Sequence, residues 1–358
     1  MTNEKRMKLV LASGEEFCGI GCGAPVSAVG EVIFNTSMVG YQEILSDPAY
    51  AGQIVVMTYP LMGQYGITDD DFEGRTFGPA AVVVRECCDT PSNFRYTKTF
   101  SEDLEDHGIP CVSGLDTRMI TRIIRDGGCI KGAVVDESVS RDEALRMIAE
   151  APQQKDIVSK VSCTKRWFSR TPHHRFDAVV IDCGLKRSIV TALNRRGCNV
   201  TVVPFDTPVE DILSFSPDGV MISNGPGSAA DLPSLVKTVK ELRGKLPVFG
   251  ICLGHEVIAL AYGASLYRLK HGHHGGRPVR YLETGKIITA EHNHDYTVDA
   301  ASLEGTGLVP TYLDVADGTV AGMACAADSV RSVQFYPEGA PGPQESPFFD
   351  NFIKAMEE

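Results

Sequence analysis

Pro247-Val-Phe-Gly-Ile-Cys252-Leu-Gly-His-Glu256 is the stretch on which the reading of this chain turns. A short apolar run leads into Gly-x-Cys-x-Gly, and a helix-forming segment follows over Gly254–Tyr262. Glycines on both sides of Cys252 permit a tight, strained turn from strand to helix. That is the layout of a nucleophile elbow, with sulfur in place of a hydroxyl. The turn lifts the thiol above the sheet, and the positive end of the following helix favours the thiolate. A bare cysteine there would read as a buried structural residue. The paired glycines and the strand–helix context point to a nucleophile instead.

Working outward, the strand before Cys252 is the fourth in a β-α alternation. Strands are expected at Phe176–Cys183, Asn199–Pro204 and Gly219–Ser223, with helices at 185–196, 208–215 and 231–243. Near-continuous apolar strands joined by helices predict a mostly parallel sheet covered on both faces. Ligands of such sheets bind beyond the carboxyl ends of the strands. A second strand end carries Ser223-Asn-Gly-Pro-Gly227-Ser228, where Gly225 and Gly227 can present backbone N–H groups to a developing oxyanion. No Gly-Lys-Ser/Thr follows, so this is not a phosphate loop, and no such loop occurs elsewhere. A third carries Gln334-Phe-Tyr336-Pro-Glu338, where a base and its orienting carboxylate would stand. A cysteine nucleophile calls for a histidine base held by a third group. A tyrosine, with a pKa near ~10, stays protonated at neutral pH. Of nine histidines, five lie in 271–294: His271, His273, His274, His292 and His294. No nearby cysteine or carboxylate completes an obvious metal set with them, so no metal is expected.

Before residue 165 the pattern is different. Phe17–Gly23, Ala28–Asn35 and Ile54–Tyr59 are short strand-like runs bounded by Gly, Pro and Asp. A helix is expected at 115–126 from the spacing of Leu115, Met119, Ile120, Ile123 and Ile124, with Ser113 and Asp116 as a capping box and Gly127-Gly128 as its stop. Another is expected at 140–150. The architecture expected is therefore α/β with two domains: a β-rich mixed domain over 1–162, a polar, basic linker over 163–175 containing Trp167 and Pro172, and a mostly parallel sheet flanked by helices over 176–358.

The net charge is −12, from 34 basic and 46 acidic residues. A surface of that sign repels phosphate backbones and argues against nucleic-acid binding. No apolar run approaches the ~20 residues of a membrane span, and the polar N-terminus lacks a signal core. A cytoplasmic protein is expected. The eleven cysteines show no Cys-x-x-Cys pair, and most read as reduced, buried small hydrophobes.

Taken together, these residues resemble the small, glutamine-hydrolysing subunits of carbamoyl phosphate synthetase over nearly the full length. The N-terminal likeness rests on Gly30–Pro48, Thr58-Tyr-Pro60, Ser92-Asn-Phe-Arg95 and Asp116-Thr-Arg118 with Thr121-Arg122. The C-terminal likeness rests on Ser223–Gly227, Gly250-Ile-Cys-Leu-Gly-His255, Gly272–Gly276, Asn293-His294, and Pro337-Glu338 with Pro341-Gly342-Pro343. The cysteine motif alone marks the class I glutamine amidotransferases; the N-terminal motifs narrow it to these subunits. The resemblance implies that Cys252 attacks the carboxamide of glutamine and that N–H groups near Leu253 and Gly225 hold the oxyanion. It further implies that a histidine oriented by Glu338 protonates the leaving ammonia. Gly225, Gly227, Leu253, Glu256, Asn293, Asp295 and Tyr296 fall at glutamine-contacting positions. The N-terminal domain would bind a large partner subunit, to which ammonia passes by a tunnel and which makes carbamoyl phosphate for arginine and pyrimidine synthesis. This chain itself would hold no cofactor; ATP and Mg²⁺ belong to that partner.

The departures from the family pattern cluster on the active site. The motif His-Pro-Glu is Tyr336-Pro-Glu338 here, the Gln after Gly-His is Glu256, and the Ser of Asp-Pro-Ser-Tyr is Ala49. Asp295 stands for a Gly and Ser228 for an Asp. Glutamine hydrolysis is expected to be weak or lost. His255, His292 and His294 are the candidates for a substitute base.

Overall fold

The computed structural model describes residues 5–75, 77–152, 155–339 and 347–358. Two compact units divide the chain: Met1–Gln154 with Lys270–His274, and Lys155–Leu269 with Gly275–Glu358.

The first unit is built on a closed seven-stranded barrel. In spatial order its strands are Arg6–Leu11, Glu16–Gly21, Cys111–Ser113, Ala81–Val83, Gln53–Met57, Ala28–Asn35 and Ile130–Asp136. Four of them run parallel in succession, with Glu31 to Asn35 in register with Gln53 to Met57, and Val82 and Val83 opposite Cys111 and Val112. Alternate residues feed different clusters. Ile54 and Val56 pack with Leu9, Leu11, Val32 and Val83, whereas Val55 and Met57 pack with Ile33, Tyr41 and Phe100. Burial on both faces explains why these strands read as continuous apolar runs rather than alternating ones.

The expected helix forms at Thr117–Gly127 and buries Ile120 and Ile124. Its cap is Asp116 alone, whose carboxylate accepts from the Met119 N–H at 3.0 Å. Ser113 instead ends a strand and donates to the Ile20 carbonyl. Met119, expected on the apolar face, is 51% exposed. The helix at Arg141–Glu150 is capped by Ser140 and seats Ala144 and Ile148 on Val10, Ala133 and Val135.

The second unit is a ten-stranded sheet. Its parallel centre runs Cys198–Pro204, Phe176–Asp182, Gly219–Ile222, Val248–Ile251 and Val330–Val333. Val320–Cys325 and Val309–Asp314 continue it in antiparallel sense, followed by Leu266–Tyr281 and Ile287–Val298. Val179, Ile181, Val220 and Ile222 face the helices Pro233–Leu242 and Leu253–Ala261. Ala178, Val180, Met221 and Phe249 face Arg187–Arg195 and Phe348–Glu357. The alternation along each strand puts one apolar set on each face, the signature of a sheet covered on both sides.

The stretch 163–175, expected as a linker, is built into this sheet. Trp167–Ser169 pairs antiparallel with Val200–Val202 as the edge strand, Trp167 packs on the inner cluster, and the Cys163 N–H donates to Asp182 Oδ2 at 2.9 Å. Three residues in a polar, basic context carry no period, so only pairing reveals the strand. Six of the eleven cysteines are buried.

Candidate active site

The strand Val248–Ile251 and the helix Leu253–Ala261 meet at Cys252, whose backbone sits at φ 53°, ψ −105°. A non-glycine residue in this region is strained, at a cost of about 1–3 kcal/mol, and persists only where its surroundings hold it. They do so here. The Cys252 N–H donates to the Val333 carbonyl at 2.8 Å, and the Cys252 carbonyl accepts from His255 and Glu256. The glycines around it are required by close approach rather than by flexibility. A Cβ on Gly250 would stand 2.5 Å from the Gly254 carbonyl oxygen, and one on Gly254 would stand 2.4 Å from the Ile222 oxygen. The elbow is thus wedged between two strand ends and the helix. The thiol is buried and donates to the Asn293 carbonyl at 3.3 Å.

The Asn224 loop lies on the next parallel strand end. A Cβ on Gly225 would come within 2.2 Å of the Cys183 oxygen and 2.9 Å of Leu253 Cδ2, so the loop and the first turn after Cys252 are packed together. Gly227 takes φ 84°, which favours glycine. Asn224 Oδ1 accepts from the Lys186 N–H, and Ser228 caps the turn that follows through the Ala230 N–H.

On the other side, Tyr336 and Glu338 leave the strand adjacent to that of Cys252. Ile251 and Val333 are register partners, and Cys252, Phe335 and Tyr336 belong to one packed cluster. Tyr336 is buried, with its N–H on the Glu291 carbonyl at 2.9 Å. Glu338 is engaged by Lys186, whose Nζ donates to Oε1 at 2.8 Å; both side chains are 1% exposed. The same Nζ stands 4.2 Å from the centre of the Tyr336 ring. An ammonium over an aromatic face is attracted by the ring quadrupole, more so when desolvated. The charge of Lys186 is therefore shared between a carboxylate and a ring. Sequence reasoning missed Lys186. The signal available was its place beyond the carboxyl end of Phe176–Asp182, where such sheets bind ligands.

Glu256 is buried. It accepts from Gln334 Nε2 at 3.1 Å through Oε1, while its Oε2 and Gln334 Oε1 make no hydrogen bond. Burial, with Asp295 adding to it, pushes its carboxyl up to about 8, against hydrogen bonds from Gln334 and the Ala229 N–H. At neutral pH it is an uncharged acid, so one O–H and one C=O stand where an amide would present N–H₂ and C=O.

The histidines are placed differently. His255 Nδ1 is hydrogen-bonded to Ser332 Oγ at 2.9 Å; burial holds the ring neutral, with a pKa of about 3, and Nε2 makes no hydrogen bond. The His255 ring therefore makes no bond to Cys252. His292 Nδ1 and His294 Nε2 are 3.1 Å apart, and His294 Nδ1 meets the Tyr296 carbonyl at 2.7 Å. The carbonyl can only accept, so it sets the proton of a neutral His294 on Nδ1, and His292 then donates to His294. Tyr296 carries Arg268 over its ring at 5.8 Å. His271, His273 and His274 belong to the first unit. Ala49, also in the first unit, is buried in a turn with its N–H on Asp47 Oδ1. Pro341, Gly342 and Pro343 lie outside the described residues.

Two family models match. Residues 9–134 match the carbamoyl-phosphate synthase small chain, CPSase domain, and residues 179–355 match the class I glutamine amidotransferases. Curated relatives named carbamoyl phosphate synthase small chain include one from Staphylococcus saprophyticus, 44% identical over 99% of this chain and 97% of its own. Another, from Listeria monocytogenes, is 43% identical over 97% and 96%. A pyrimidine-specific small chain from Halalkalibacterium halodurans is 44% identical over 98% and 97%. Among solved structures, a glutamine amidotransferase from Thermotoga maritima covers 52% of this chain and 84% of its own, at 19% identity and a TM-score of 0.38. No helix among the described residues is long and apolar enough to cross a membrane. With both family models present in order and relatives matched from end to end, this chain belongs to the carbamoyl phosphate synthase small chains.

Proposed function

We propose that this chain is the small subunit of a carbamoyl phosphate synthetase in which glutamine hydrolysis is weak or lost, and that it serves its large ATP-using partner chiefly as a structural and regulatory subunit. The observation that carries this reading is the buried Lys186–Glu338 pair alongside Tyr336.

Amide hydrolysis by a thiol needs three things: a thiolate to attack, donors for the oxyanion, and a group that moves a proton to the leaving nitrogen. The chain keeps the first two. Cys252 stands at a strained elbow on a helix N-terminus, and the backbone near Leu253 and Gly225 is packed beside it. Attack would form a thioester to the glutamine side chain and release ammonia, and water would then free glutamate. The third requirement fails. Tyr336 cannot take a proton readily at neutral pH, and Glu338 neutralises a buried ammonium instead of orienting a base. Loss of the base in such a unit costs on the order of 10⁴–10⁶ in rate. The large subunit, which would hold ATP and Mg²⁺, then draws on ammonium directly, and a tunnel from this subunit would carry nothing. Biosynthesis of arginine and pyrimidines in the cytoplasm is the setting this reading implies.

One observation favours a second reading. The Cys252 thiol rests on the carbonyl of Asn293, between His292 and His294. Either histidine could serve as a substitute base. The test is to purify the chain with its large subunit and compare carbamoyl phosphate formation from glutamine and from ammonium, following glutamate in the same tubes. Ammonium-only turnover is expected. Glutamate release at ~1 s⁻¹ or above, an ordinary enzymatic rate, would sink the proposal. If replacing His292 or His294 then abolished that activity, the second reading would stand.

A further inference from the structure

Three thiols converge at one seam of the barrel in the first unit, and the chemistry proposed at Cys252 uses none of them. The strands Glu16–Gly21 and Cys111–Ser113 share two register pairs, Ile20 with Ser113 and Gly21 with Val112. One step further along, Cys22 stands opposite Cys111, and its N–H donates to the Cys111 carbonyl at 3.0 Å. Opposed residues at a hydrogen-bonded position have Cα atoms about 5.5 Å apart, within the ~4.4–6.8 Å that a disulfide spans. Their side chains share a face: the Cys22 thiol donates to Cys111 Sγ at 3.0 Å, about 1 Å beyond a disulfide bond. Cys87 flanks Cys22 in hydrogen-bond contact, with its own sulfur 3.3 Å from Ser101 Oγ. Cys111 is buried, while Cys22 and Cys87 are half-buried.

We infer that Cys22 and Cys111 form a two-electron thiol–disulfide site that a small azo or disulfide oxidant closes and an added dithiol reopens, with Cys87 beside it remaining a thiol. A soft-metal site fits less well. Two thiolates on tetrahedral zinc, at ~2.3 Å each, sit farther apart than these sulfurs do. With diamide the step balances. Cys22 sulfur adds to the N=N bond, and Cys111 sulfur then attacks Cys22 Sγ and displaces the hydrazine. Two S–H bonds and the N=N π bond are lost, one S–S and two N–H bonds form, and two electrons pass to the oxidant. The hydrogen bond with Cys111, with burial, raises the Cys22 thiol; the hydrogen bond with Cys22 and then burial raise Cys87; and burial raises Cys111 against its hydrogen bond with Cys22. Closure is therefore slow at neutral pH, and its rate rises about tenfold per pH unit between pH 7 and 9, as the thiolate fraction does.

The experiment treats the full-length chain with diamide, counts thiols after unfolding and maps peptides without reduction. The expected result is a fall from eleven thiols to nine, a Cys22–Cys111 peptide, and recovery with dithiothreitol. The unfolding midpoint should rise by roughly 5 °C or more, because the bond closes a long loop of chain. Cys18→Ser keeps the two-thiol loss, while Cys22→Ser and Cys111→Ser abolish it. The peptide map on unaltered protein stands even if a variant fails to fold. Eleven surviving thiols, or a link between any other pair, overturns the inference. Surviving thiols together with protection of all three by zinc alone make it a metal site instead.

Discussion

The two sides of the active site in the second unit are built in opposite ways. The side that carries Cys252 is held by backbone. Its carbonyl and N–H are bonded to neighbouring strands and to the helix, and Gly250 and Gly254 approach other main-chain atoms so closely that no side chain fits. The side that carries Tyr336 and Glu338 is held by side chains: one buried ion pair, one cation over a ring, and Gln334 donating to the Glu256 carboxyl of the facing helix. A backbone device survives changes around it because each glycine is separately required. A side-chain device can be exchanged whole, one charge pattern for another, without moving the main chain.

The largest expected effect tests whether the rebuilt side is a stabilising unit. Lys186→Met should cost about 3–5 kcal/mol in urea unfolding, because it leaves a buried carboxylate uncompensated. A double Lys186→Met, Glu338→Leu variant should recover most of it. An unchanged stability in the single variant would mean that the pair is solvated and that Glu338 remains available to a base.

Next comes pH. The folded-state pKa of Glu256 lies above its unfolded value of about 4.5, at about 8. The stabilisation is therefore full below about pH 4.5 and is lost as pH rises through about 8. Glu256→Gln removes that loss. Unfolding free energies of the two proteins should diverge in favour of the variant from pH 5 to about 8, by on the order of a few kcal/mol, and then run parallel. Parallel curves throughout would place the carboxyl in water.

Tyr336→His restores a base on the rebuilt side and should raise glutamate release by about 10²-fold or more. No gain, with binding intact, would shift the defect to Glu256. The smallest effect probes the backbone side. Gly254→Ala should cost about 1–3 kcal/mol, since its Cβ would meet the Ile222 oxygen at 2.4 Å. A neutral result would mean that the elbow can shift, and the contrast between the two sides would fail.

Much of the second unit is legible in the sequence. The strand into Cys252, the helix after it and the glycine loop at 224–228 follow from apolar runs, glycine spacing and strand–helix alternation, all of which are local. Tyr336 and Glu256 are visible as departures because they stand inside recognisable motifs. Lys186 is not, since a single lysine near a helix start has no pattern of its own. Trp167–Ser169 reads as linker because three residues are too few to show a period. The cap of the helix at Thr117–Gly127 moves from Ser113 to Asp116 because pairing with the neighbouring strand claims the serine.

What the sequence by itself determined is the set of elements and the nucleophile's place among them, because main-chain sterics and apolar patterning act over a few residues. What only the tertiary structure decided is which charges meet. Lys186 and Glu338 are 152 residues apart, and Cys22 and Cys111 are 89 apart. Their encounter depends on strand order and register, and burial then sets whether a carboxyl keeps its proton or a thiol can lose one.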